Sequence, residues 1–182
     1  MGLEPLNAPP ADMPGGQGMA ALRDATLDDL RRATALNNES AEELTYETFA
    51  GMRWYLSAAP YFRVAETGDG SLAGFLIGFR RGDDYHSENL AWLEAHGAGD
   101  FAYVDRVVVA EAHRGAGVGR MLYEDFERWA RELELPRLTC EVNTEPRNEG
   151  SLAFHDALGW RAIEERQTGY GPRVLMMEKP LP

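Results

Sequence analysis

Three glycines at alternate positions, Gly115, Gly117 and Gly119, lie between an apolar run and a helical stripe, with Arg114 and Arg120 on either side. The chemistry this pattern serves is anion binding. A helix start leaves several backbone N–H groups without intrahelical partners. Glycine lets those groups approach an anion closely, and the helix dipole adds about half a positive charge. A strand, a glycine-rich turn and a helix therefore form a cradle for a pyrophosphate. The two arginines add charge-assisted hydrogen bonds. Two common phosphate motifs fail here. A P-loop ends in Gly-Lys-Ser/Thr, and this segment has no lysine. A dinucleotide fingerprint needs Gly-x-Gly-x-x-Gly, and its last position counted from Gly115 is Arg120. A turn kept glycine-rich only for tight packing is the plain alternative.

The elements that must hold this turn follow from periodicity. Residues 101–110 are strongly β-forming, and the unbroken apolar run predicts a strand covered on both faces. Beyond the turn, Val118, Met121, Leu122, Phe126, Trp129 and Leu133 recur at helical spacing as one stripe, which ends before Pro136. Residues 138–143 alternate as a strand, with Leu138, Cys140 and Val142 on one side. A short helix at 150–158 stops at Gly159, and strands at 160–167 and 174–179 close the chain. Upstream, a strand at 20–25 leads to a helix capped by Thr26, with Asp28 and Asp29 in its first turn. A second helix is expected over 42–58. A hairpin follows, with strands at 61–66 and 71–79. The polar connection at 80–100 carries a helical patch at 90–96, and connections this long are often functional. Residues 1–19, rich in Pro and Gly, read as a disordered tail, leaving 20–182 as one domain.

The 182 residues, 44% of them apolar, suit one sizeable core. A formal net charge of −12 argues against nucleic acid, whose phosphates need basic partners. It suits a cationic small substrate as well as simple solubility. No apolar run approaches the ~20 residues that span a bilayer, and no basic-then-apolar leader opens the chain. A cytoplasmic protein with no membrane partner is the expectation. The single cysteine, Cys140, excludes an internal disulfide and a multi-cysteine metal site, and reads as a reduced core residue.

Arg114-x-x-Gly117-x-Gly119 resembles the Arg/Gln-x-x-Gly-x-Gly/Ala signature of the GNAT N-acetyltransferases. A second segment, from Asn148 through Ser151, Phe154, His155 and Gly159 to Trp160, resembles that superfamily's Asn-x-x-Ala-x-x-Leu-Tyr-x-x-x-Gly-Phe pattern. The wording around both is similar to a group of bacterial acetyltransferases, and the likeness covers about residues 21–182. It implies an α/β (α+β) fold. Its mixed, mostly antiparallel sheet of six to seven strands splays between the fourth and fifth strands, and about four helices flank it. It also implies acetyl-CoA as donor, no metal, a small-molecule amine or amino acid as acceptor, and a possible homodimer. Two alternatives stay open: a catalytically silent acyl-CoA sensor, and a modifier of protein amines.

By the same resemblance, Val107, Val108 and Val109 would run beside the pantetheine. The pyrophosphate would sit on Arg114, Gly115, Ala116, Gly117, Val118, Gly119 and Arg120. Asn148, Ser151 and Phe154 would line the pantetheine arm. An oxyanion donor is expected at the N–H of Val107 or Val108, freed by a bulge. The family's usual tyrosine acid is replaced here by His155, whose ordinary pKa suits proton transfer near neutrality; water is the alternative. Asp105 is the first choice as base and Glu141 the second. A pairing of Asp105 with Arg106 is disfavoured because neighbours on a regular strand point to opposite faces. Tyr85, His86, Trp92, Tyr103 and Asn143 are candidates for the acceptor pocket, where aromatic rings can hold a cation.

Overall fold

A computed structural model describes residues 20–40, 44–97 and 99–182. The tail expected at 1–19 lies outside them. Among the described residues, seven strands make one sheet: β1 (Ala21–Asp24), β2 (Tyr61–Glu66), β3 (Leu72–Arg80), β4 (Ala102–Val109), β5 (Arg137–Glu145), β6 (Arg161–Gln167) and β7 (Arg173–Pro180). Their order across the sheet is β1-β2-β3-β4-β5-β7-β6. All neighbours are antiparallel except β4 and β5, which run parallel. Five α-helices accompany them among the described residues: α1 (Leu30–Glu39), α2 (Phe49–Ala58), α3 (Glu88–His96), α4 (Val118–Glu132) and α5 (Glu149–Ala157). The expected mixed architecture is present. The fifth helix is α3, which periodicity shows only as a patch.

The core sits on both faces of the sheet. β3 is apolar almost throughout because it is central: Phe75, Ile77 and Phe79 join one cluster with Leu30 and Ala33 of α1 and Met52 of α2. Leu76 joins the other, with Val118, Leu122, Phe126 and Ala130 of α4. This is the expected α4 stripe, except that Leu133 caps the helix and is 41% exposed. Phe126 has no exposed surface and packs edge-on to Tyr61, with ring centroids 4.8 Å apart. Truncating a buried Phe loses its transfer energy and leaves a cavity, together about 3–5 kcal/mol. Phe126→Ala is therefore expected to lower unfolding free energy by about that amount. Urea denaturation with an unchanged slope checks it.

Two expectations need correcting. Residues 42–43 of the expected second helix lie outside the described residues, and α2 itself begins only at Phe49. There the Thr48 hydroxyl accepts the Gly51 N–H at 3.0 Å as a helix cap. The chain before it is held out of helix by Asn38. Its side chain accepts the Glu47 N–H at 2.9 Å and donates to the Glu47 carbonyl at 2.8 Å. Second, β4 is not covered along both faces. Asp105, Val107 and Val109 are only half-buried, because the strand opens onto a cleft there.

Candidate active site

The cleft begins where β4 and β5 part. They pair only at Ala102 with Leu138 and Tyr103 with Thr139. Past that point one edge of β4 has no strand beside it. Which groups face this edge follows from alternation. The Ala110 N–H bonds to the Ala73 carbonyl at 2.9 Å, on the β3 side. Val108 therefore faces β3 as well, and Val107 and Val109 turn their N–H and C=O groups to the open edge. A bulge is present, but earlier than expected. Gly78 pairs with Val104 and Ile77 with Arg106, so Asp105 is the extra residue.

At one end of the cleft lies the glycine turn. Gly117 has φ of 86°, a left-handed conformation that glycine adopts without strain, and it caps α4 with no side chain. The first helical bond runs from the Met121 N–H to the Gly117 carbonyl at 3.0 Å. The N–H groups of Val118, Gly119 and Arg120 thus have no helical acceptor and remain for an external one. Gly119 is needed for close packing: a Cβ there would come within 3.2 Å of the Phe154 ring. Arg114 and Arg120 line this end with the turn, while Ala116 points to solvent outside the cleft. Asn148 and Ser151 line the neighbouring wall. Asn148 Oδ1 caps α5 by accepting the Ser151 N–H at 2.9 Å, so Nδ2 is the donor it can offer a ligand.

Two carboxylates stand beyond, and they differ sharply. Asp105 accepts from Arg106 Nε at 2.8 Å and from the Tyr85 hydroxyl. The bulge lets the adjacent Asp105 and Arg106 side chains meet, which corrects the regular-strand expectation. Arg106 also donates to Asn37 Oδ1 at 3.0 Å and to the Tyr55 hydroxyl at 2.7 Å. Asp105 is thus tied into a buried polar network. Glu141, on β5, accepts from the Tyr103 hydroxyl at 2.9 Å on each oxygen and has no ion pair among those of the described residues. Burial pushes its carboxyl up to about 7, with the Asp105 charge adding to the rise. It is half-buried because the cleft exposes it. Burial and the nearby carboxylates also raise Tyr85 and Tyr103, so both stay neutral donors.

His155 is 2% exposed and bonded at both ring nitrogens. Ser151 C=O, which can only accept, lies 2.7 Å from Nδ1, so Nδ1 carries the proton. Nε2 then accepts from the Tyr123 hydroxyl at 2.8 Å. Burial lowers the His155 pKa, which keeps the ring neutral. Tyr123, also in the cleft wall, was not singled out by periodicity, because position 123 only broadens the apolar stripe.

The far end is closed by α3 and the turn between β6 and β7. Glu88 accepts the Gly169 N–H at 2.8 and 3.0 Å, and Asn89 Nδ2 donates to the Tyr170 hydroxyl at 2.9 Å. Tyr85, Tyr103, Asn143 and Tyr170 line this end. Trp92 does not line the cleft. It stacks on His96 with centroids 4.4 Å apart, since α3 turns Asn89, Leu90 and Leu93 inward instead. His86 is exposed and also outside. Tyr170 and Asn89 were missed by sequence reasoning; a lone aromatic in Gly169-Tyr170-Gly171-Pro172 is the only signal. Among the described residues, no three His, Cys, Asp or Glu side chains gather as a metal site, and no helix is long and apolar enough to cross a membrane.

The whole cleft measures about 1210 Å³. One end of the cleft offers the free N–H groups of a helix start, and the other a carboxyl without an ion pair among the described residues, set among phenols. The chain belongs to the acetyltransferase (GNAT) family, whose sequence model matches residues 23–160. No curated protein matches the sequence significantly. Solved structures share the fold. Ard1 from Thermoplasma volcanium has 20% identity and a TM-score of 0.71, covering 90% of this chain and 98% of that one. Phosphinothricin acetyltransferase from Sinorhizobium meliloti, in complex with acetyl-CoA, has 19% identity and a TM-score of 0.68, covering 90% and 89%. Ribosomal-protein-alanine N-acetyltransferase from Brucella melitensis has 23% identity and a TM-score of 0.65, covering 88% and 99%.

Proposed function

We propose that this acetyltransferase moves an acetyl group from acetyl-CoA to a primary amine by direct attack within a ternary complex. The observation that carries the reading is Glu141, a carboxyl without a cationic partner, in the same cleft as the uncapped start of α4. The donor's pyrophosphate is assigned to the N–H groups of Val118, Gly119 and Arg120, helped by Arg114. Its pantetheine amides are assigned to the open edge at Val107 and Val109, with Asn148 and Phe154 opposite. Acetyl-CoA supplies a thioester carbonyl and a thiolate leaving group. Glu141 takes the proton that the ammonium must lose before its nitrogen can attack. The Val107 N–H is the backbone donor offered to the carbonyl oxygen as charge develops there. The C–S bond then breaks as the amide C–N bond forms. His155 has no free N–H to give and holds the Tyr123 proton on its Nε2, so the thiolate draws its proton from water.

Calorimetric titration with acetyl-CoA, followed by thiol release over an amine panel, tests the proposal. Binding in the micromolar range and release that depends on the amine are expected. Binding without release from any amine would leave a silent acyl-CoA binder, the alternative that the His155 substitution raises.

A further inference from the structure

We infer that the acceptor is the α-amine of a peptide or protein chain rather than that of a free amino acid. The inference rests on the amine-acetylation reading above and narrows it. All 18 lysine and arginine side chains lie among the described residues. Those lining the cleft are Arg106, Arg114, Arg120 and Arg147. Arg114 and Arg120 flank the glycine turn, and Arg147 pairs with Glu149 at 2.6 Å beside Asn148. Only Arg106 reaches the acceptor end. It is committed to Asp105 at 2.8 Å and lies 3.6 Å from Glu47. Arg166, behind α3, pairs with Glu88. The sole histidine in this part of the wall, His155, is neutral.

A free amino acid brings a carboxylate two bonds from its amine. Here that carboxylate would meet ionised Glu141, which has no ion pair among the described residues, with no cation to spare. At ~5 Å and an effective dielectric near ~20, one such like-charge contact costs about a hundredfold in binding. A peptide replaces the carboxylate by a neutral amide, and the site offers neutral partners. Tyr85 and Tyr103 give their protons to carboxylates. Tyr170 accepts from Asn89 and keeps its own proton, making it the donor for an amide carbonyl. Proton affinity supports the same class. Peptide α-amines have a pKa of about 7.7–8.0 and lysine side chains about 10.4. With a base near 7, the deprotonation deficit is about tenfold for the first and over a thousandfold for the second.

The test uses the full chain, saturating acetyl-CoA and thiol release. Alanine, serine and methionine are each supplied as free acid, as amide and as the first residue of a tetrapeptide. Lysine amide blocked at its α-nitrogen is included. Amides and peptides are expected to exceed the free acids in kcat/KM by about a hundredfold. Tyr170→Phe should raise KM for the peptides several-fold while kcat and acetyl-CoA affinity hold. Free acids turned over as well as their amides, or blocked lysine preferred to every peptide, would overturn this inference and leave amine acetylation standing. Bound acetyl-CoA with no turnover of any amine would sink both.

Discussion

Replacing Glu141 with Gln is expected to lower kcat/KM for the amine by about 10²–10⁴-fold, the usual worth of a positioned base. Acetyl-CoA affinity should stay within about twofold, because Glu141 lies away from the glycine turn. The parent's rate should climb with pH through about 7, as the Glu141 carboxyl gives up its proton. That limb should vanish in the variant. Asp105→Asn offers the contrast. It breaks a buried pair with Arg106, so lost stability is expected with no displaced pH limb. A second readout follows from linkage. The Glu141 pKa rises on folding from 4.5 to about 7, so the folded chain holds this proton more tightly. The group's contribution to stability is full below 4.5 and is lost as pH rises through about 7. Glu141→Gln should therefore be more stable than the parent at pH ~8, by about 2 kcal/mol allowing for part-exposure, and similar to it near pH ~4. A variant that is slow yet sturdier marks a group kept for chemistry at the expense of the fold. A pH limb that survives the substitution would remove Glu141 from the mechanism.

Gly117→Glu should weaken acetyl-CoA binding by more than about a hundredfold, since a carboxylate ~5 Å from a phosphate costs about 3 kcal/mol at an effective dielectric near ~20. Part of the loss comes from backbone strain, because φ of 86° at this cap suits only glycine. Gly117→Ala isolates that part. Nothing lies within 4 Å of its Cβ, so only the left-handed backbone penalises it, by about 1–2 kcal/mol. Calorimetry on both variants separates the two effects. Equal affinity in the Ala and Glu variants would mean that no anion rests on the amides of Val118 to Arg120.

Local rules made much of this legible. The α4 stripe and the glycines ahead of it need only helical spacing and backbone freedom, so sequence alone places the glycine turn and the helix start that follows it. The floor of the cleft is different. As acidic residues on neighbouring strands, Asp105 and Glu141 are both candidate bases by sequence, with Asp105 preferred. What separates them is a bulge that swings Arg106 onto Asp105, and a register shift in β4 leaves no mark in composition. His155 likewise reads as a proton donor until Tyr123 and Ser151, from a different helix and from one turn earlier, are found on its two nitrogens. Contacts between segments far apart in sequence, such as Asn89 with Tyr170 at a separation of 81, lie beyond any periodicity argument.

The seam between β4 and β5 has a mechanical meaning. Two residue pairs join a four-stranded slab, β1 to β4, to a three-stranded one, β5-β7-β6. Rungs absent from that ladder can be lent by the amides of the carrier itself. On the proposed binding mode, loading with acetyl-CoA should stiffen the molecule across the line between the two slabs. Stiffness across this line is therefore a gauge of donor occupancy.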